Sequence, residues 1–393
     1  MRITKVTSRV YEWTGPVAPI PPNFCTTAAG ILARQPGSIK GYSFLGWLVV
    51  EVETDTGLVG LGNAALSPHV TKAVIDHHLA PLLVGENPLD IAYLWERMYR
   101  TTLPFARKGS GMAAISAIDL ALWDILGKQA GLPVYRLLGG KLRDRIPVYA
   151  SRLYAQPLDS LAEEAKSYVA QGFRMMKLRF GWGPQDGLAG IEKNVALLRT
   201  VREVVGDDVE VMGDCFMGWT LEYAKRMLPR LADYGLRWLE EPLIADDLAG
   251  YAELKAMNIV PISGGEHEFT LRGFRDVIDR EAMDIIQFDV NRVGGISQAQ
   301  KITALAEAYD VEVIPHAGQM HNFHLVAANI ACPMAEYFPK VPVEVGNELF
   351  WYIFDGEPEA VDGHITLTDE RPGLGLRLKD GLESQFRIHG GGA

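Results

Sequence analysis

The chain is poor in cysteine, with only Cys25, Cys215 and Cys332 among 393 residues. Their odd number and wide spacing exclude a disulfide framework. Cys215 reads as a small core filler beside Asp214. A basic excess is missing as well. Lys and Arg number 38 against 49 Asp and Glu, a formal net charge of −11, which argues against a nucleic-acid partner and its need for a cationic face. No apolar run reaches the roughly 18 residues of a membrane span, and MRITKVTSRVYEW lacks an apolar segment of signal-peptide length. The expectation is a cytoplasmic protein with no membrane partner. What remains is ample core. Hydrophobic residues make up 48% and charged residues 22% of the chain, a balance that excludes disorder.

Residues up to about 62 read as strands: RITKVTSRVYEW alternates, and SFLGWLVVEVETDTGLVGLGNA divides at the DTG turn. Between them runs GPVAPIPPNFCTTAAGILARQPGSIKGY, long for a loop inside a compact domain and therefore a candidate lid. Arg34 and Lys40 within it are candidates for gripping an anionic substrate. From about 66 to 140 the pattern becomes helical. The small residues of GMAAISAIDLALWDILGKQAGLP allow close helix packing, and Gly131 followed by Pro133 marks its end. Asp119 and Asp124 in this helix read as structural groups at a domain junction. Residues 1–140 are thus expected to form an α+β domain.

From RIPVYAS onward, strands alternate with helices. Six ionisable residues lie at or just after short apolar runs: Asp214, Glu240, Glu266, Asp289, His316 and Glu336, at successive gaps of 26, 26, 23, 27 and 20. A strand–helix period of about 25 residues, with two further strands near 147–151 and 175–180, gives the eight strands of a (β/α) barrel. The carboxyl ends of such strands converge on one mouth, which gathers five carboxylates and one imidazole. Acids crowded there repel unless one is protonated or a cation sits among them. The all-oxygen set Asp214, Glu240 and Glu266 suits Mg²⁺ better than Zn²⁺. Pleat alternation sends Glu241 away from the pocket.

Asp289 and His316 can form a dyad, in which the carboxylate fixes the tautomer of the ring and raises its basicity. Lys177 and Arg179 alternate with Leu178, so both face inward as a positive flank for a substrate carboxylate. Glu336 donates a hydrogen bond if a dry pocket raises its pKa. His267 is a candidate for substrate contact. His321 and His324 share a helix face and favour packing or substrate-edge roles. WGPQDGLAG lacks phosphate-loop spacing and reads as a turn.

On these residues the chain resembles the enolase superfamily, specifically its mandelate racemase subgroup. Asp214, Glu240 and Glu266 match that family's Mg²⁺ site, and His316 with Asp289 matches its dyad. Glu336 matches its last-strand acid, and AISAIDLALWDILGKQAGLPVYRLLGG resembles the signature before the barrel. The resemblance implies a modified (β/α)₇β barrel over residues 141–360, an N-terminal cap completed by residues 361–393, and symmetric homo-oligomers. WGPQDGLAGIEKN, GDCFM, SGGEHEFT and DERPGLGL are similar to the acid-sugar dehydratases of the rhamnonate type, which act on a small sugar acid. Arg179 departs from the subgroup's racemases, which carry a second lysine base there. A racemase or epimerase of a 2-hydroxy acid, and a catalytically silent metal-binding homologue, remain alternatives.

Overall fold

The computed structural model describes residues 1–32 and 44–390. Strands β1 (Ile3–Trp13), β2 (Gly46–Thr54) and β3 (Val59–Ala64) form an antiparallel sheet, extended at its β1 edge by the C-terminal strand Phe386–His389. The C-terminal segment thereby completes the N-terminal cap. Helix Ser110–Ala130 lies on β3, where two glycines make the contact possible. A Cβ on Gly60 would meet the Ala121 carbonyl at 2.1 Å, and one on Gly62 would meet that of Ala117 at 1.8 Å. This helix is long and apolar enough to cross a membrane, yet 83% of that stretch is buried within the fold, as a core helix between two layers must be.

Eight parallel strands follow: β4 (Ile146–Ser151), β5 (Met175–Arg179), β6 (Glu210–Asp214), β7 (Leu236–Glu240), β8 (Ile262–Gly264), β9 (Ile285–Ile286), β10 (Glu312–Val313) and β11 (Ala335–Tyr337). A helix connects each strand to the next, seven in all among the described residues. This is the (β/α)₇β order. The ladder runs β11–β4–β5–β6–β7–β8–β9–β10. Tyr149, Met212, Trp238, Ile285, Ile314 and Met334 pack together from six points around this row. They form an apolar floor, with the Tyr149 and Trp238 rings edge to face at 5.5 Å.

Asp124 joins the layers. Its carboxylate accepts from Leu61 N–H on β3 and from Leu374 N–H of the C-terminal segment, both at 2.8 Å. Asp119 accepts from Ser297 N–H at 3.0 Å, across to the barrel. Both acids are junction groups, as their sequence context suggests. The first half of the candidate lid packs on the barrel mouth. Thr26 N–H donates to the Phe180 carbonyl and Phe24 accepts from Ala155 N–H. Arg34 and Lys40 lie outside the described residues.

Candidate active site

Asp214 and Glu240 end their strands, Glu266, Asp289 and His316 lie two to three residues beyond theirs, and Glu336 is the middle residue of β11. The strands β8, β9 and β10 are only two or three residues long. Glu266, Asp289 and His316 are therefore carried on the loops that continue them. All six side chains are buried.

Around Lys177 the carboxylates gather. Its ammonium, wholly buried above the Tyr149 ring, contacts Glu240, lies 2.9 Å from Glu336 Oε1 and 3.5 Å from Asp214 Oδ2. Burial opposes this charge, but the surrounding acids raise its pKa well above the usual lysine value. Alternation gives Lys177 and Arg179 one task; the structure separates them. Lys177 faces inward but is enclosed by protein acids, whereas Arg179 reaches the open cleft and pairs with Asp214 at 2.8 Å.

Glu240 accepts from Trp238 Nε1–H at 3.0 Å and from Gln287 Nε2–H at 2.9 Å. Burial pushes its pKa up to about 7 against the pull of Lys177, aided by Asp214, Glu336 and Glu266. Asp214, Glu240 and Glu266 offer oxygen donors from three consecutive strands, a donor type that suits Mg²⁺. Glu336 behaves otherwise than expected. Burial favours its neutral form, yet Lys177 and His316 outweigh burial and lower its pKa. It stands as a carboxylate, accepting from Ala317 N–H at 2.7 Å, and not as a proton donor.

His316 is gripped from several sides. Nδ1 lies 2.8 Å from Asp289 Oδ2, Nε2 lies 3.3 Å from Glu266 Oε2, and its carbonyl accepts from Asn322 Nδ2–H at 2.7 Å. Burial works against protonation, but Glu266 and the bond to Asp289 win and raise the ring's pKa. Asp289 is fixed in turn by Asn291 N–H at 2.9 Å and by Arg292 at 3.2 Å. Nε2 is the nitrogen left to face the cleft, which is lined by Arg179, Glu266, Arg292, Gln319 and Phe338 from the barrel and by Phe44, Trp47 and Ala65 from the cap.

Two participants escaped the sequence reading. Arg292 ties Glu266, at 3.1 Å, to Asp289; its only signal is its position three residues after Asp289. Glu241 does not point away. Its backbone leaves the strand with φ of 39°, a left-handed conformation that ends the alternation. Its carboxylate meets His267 Nδ1 at 2.8 Å. Glu241, Glu266 and His267 bring three ligand atoms within 4.8 Å of one another, a second grouping that shares Glu266 with the first. His267 thus stands between two acids, against the Phe216 ring. His324 serves packing: its ring accepts from Tyr135 N–H and reaches the Leu374 carbonyl.

Residues 160–382 match the enolase C-terminal domain-like family, and residues 38–139 match the mandelate racemase/muconate lactonizing enzyme N-terminal domain. An L-rhamnonate dehydratase of Saccharopolyspora erythraea is 39% identical over 347 residues, 87% of this chain and 86% of that one. The Mg-complexed structure of rhamnonate dehydratase from Gibberella zeae superposes with a TM-score of 0.84 at 31% identity, covering 98% of this chain and 96% of that one. The 3,6-anhydro-D-galactonate cycloisomerase of Zobellia galactanivorans superposes with a TM-score of 0.83 at 30% identity, covering 98% and 100%. With both domain families matched in order, and a magnesium-type acid cluster at the mouth of its barrel, this chain belongs to the mandelate racemase/muconate lactonizing enzyme family of the enolase superfamily.

Proposed function

We propose that the chain is a Mg²⁺-dependent acid-sugar dehydratase of the rhamnonate type, converting a small sugar acid to its 2-keto-3-deoxy acid. The observation that carries this reading is the Asp289–His316 pair, lining a cleft with Glu266 and with Arg179, which pairs with Asp214 at 2.8 Å. The chain is a hydro-lyase. Asp214, Glu240 and Glu266 would hold Mg²⁺, which would supply positive charge to acidify the carbon beside a substrate carboxylate. Arg179, always cationic, holds that carboxylate. His316 takes the α-proton on Nε2 while Asp289 keeps the proton of Nδ1 in place. The same nitrogen returns its proton to the departing 3-hydroxyl, which leaves as water. The enol left behind tautomerises to the keto acid. Glu336, ionised, orients Lys177 and the Ala317 N–H beside the dyad.

Racemisation needs a second base on the opposite face of the substrate. Arg179 cannot be one, and Lys177 is enclosed by three acids. Incubation with Mg²⁺ and a panel of sugar acids, followed for 2-keto acid, tests the reading. Keto acid from at least one member is expected. Deuterium entering unreacted acid with no keto acid formed points to a racemase or epimerase. The protein acts on its small sugar acid in the cytoplasm as a homo-oligomer.

A further inference from the structure

Far along the chain from the barrel acids, Glu12, His69 and His389 converge from three elements: the end of β1, the first turn of helix Pro68–Val74, and the C-terminal strand. His69 Nε2 lies 2.6 Å from Glu12 Oε1, and His389 Nε2 lies 2.6 Å from Glu12 Oε2. Each carboxylate oxygen is thus matched to one imidazole nitrogen. The two rings meet edge to face at 5.1 Å. Among the described residues this is one of two places where three such ligand atoms fall within 4.8 Å of one another, and the other is at the barrel mouth.

Gly46 pairs with Glu12 across the sheet. A Cβ on Gly46 would stand 3.1 Å from Pro68, the residue that leads His69 in. His389 reaches the cluster because it sits opposite Val10, on the same face of the sheet as Glu12 two residues on. Lys72 is the neighbouring cation, close to Gly390, and its charge is taken up by Asp76.

We propose that Glu12, His69 and His389 bind a divalent transition-metal ion of the zinc class. Two imidazole nitrogens and one carboxylate are a donor set that suits Zn²⁺, Co²⁺ or Ni²⁺ and not the hard Mg²⁺ of the barrel mouth. The side chains are 53%, 35% and 37% exposed for His69, Glu12 and His389, which admits the ion from solvent and leaves its remaining positions to water. Such an ion replaces the protons that the rings share with Glu12. It clamps the C-terminal strand to β1 at the point where the chain leaves for the candidate lid.

The test uses the full chain with its barrel site saturated with Mg²⁺ and zinc as the probe. Zinc-edge anomalous scattering should give a peak bounded by the two Nε2 atoms and the Glu12 carboxylate. In calorimetric titration, His69→Ala and His389→Ala should each weaken zinc binding by about tenfold or more, and His267→Ala should leave it unchanged. Zinc should raise the Tm of the parent protein more than that of His389→Ala. No anomalous peak at these side chains, or equal zinc affinity in the parent and both histidine variants, overturns the proposal.

Discussion

His316 is held through both ring nitrogens, tightly at Nδ1 and more loosely at Nε2. Asp289 binds Nδ1 at 2.8 Å, and Nε2 faces the cleft near Glu266. His316→Asn keeps a polar side chain but removes the base, so turnover should fall by about a hundred- to ten-thousandfold. Mg²⁺ affinity should be nearly unchanged in calorimetry; a variant that kept turnover would remove His316 from the chemistry. His324 gives a different prediction. Burial, with a smaller contribution from His321, pushes its pKa down to about 4 from 6.5, against the Leu374 carbonyl. As pH falls, the unfolded chain takes up this proton before the folded one does. The folded state therefore keeps its full stability above about pH 6.5 and loses on the order of 3 kcal/mol toward pH 4. The Tm of the parent should drop across that window, whereas His324→Gln should show a lower but flatter profile. An unchanged slope would contradict the assignment.

At the scale of elements, the cap sheet and its helix are joined by residues that lack side chains where backbones touch. A methyl group on Gly62 runs into the Ala117 carbonyl at 1.8 Å. Gly62→Ala should therefore cost about 1–3 kcal/mol or more and lower Tm, with urea unfolding as the check; a neutral result would mean the helix shifts freely. The small-residue run in Ser110–Ala130 announces this packing in the sequence, because only such a surface admits a strand so closely. The barrel strands were legible for a similar reason: short apolar runs at a regular spacing place Asp214, Glu240, Glu266, Asp289, His316 and Glu336 on one rim. Glu241 was not legible, since alternation holds only while the backbone stays extended, and its φ of 39° turns the side chain back. The protonation of Glu336 was equally hidden. It depends on Lys177 lying 2.9 Å away, a distance that no spacing along the chain encodes.

The whole molecule builds its cleft from both domains. The barrel supplies Glu266, Asp289, His316 and Arg179, and the cap supplies Phe44, Trp47 and Ala65. Periodicity marks the barrel's share of this cleft and the family resemblance implies the cap above it, but the choice of sugar acid resides in walls whose side chains follow no repeat. Two groups at the mouth offer ligand atoms, Asp214–Glu240–Glu266 and Glu241–Glu266–His267, and only the second brings its three atoms within 4.8 Å of one another. A crystal structure with Mg²⁺ and a sugar acid decides between them. The account predicts Mg²⁺ held by Asp214, Glu240 and Glu266, with His316 Nε2 about 3–3.5 Å from the carbon beside the bound carboxylate. Mg²⁺ on Glu241 and His267, or an imidazole turned away from that carbon, contradicts it.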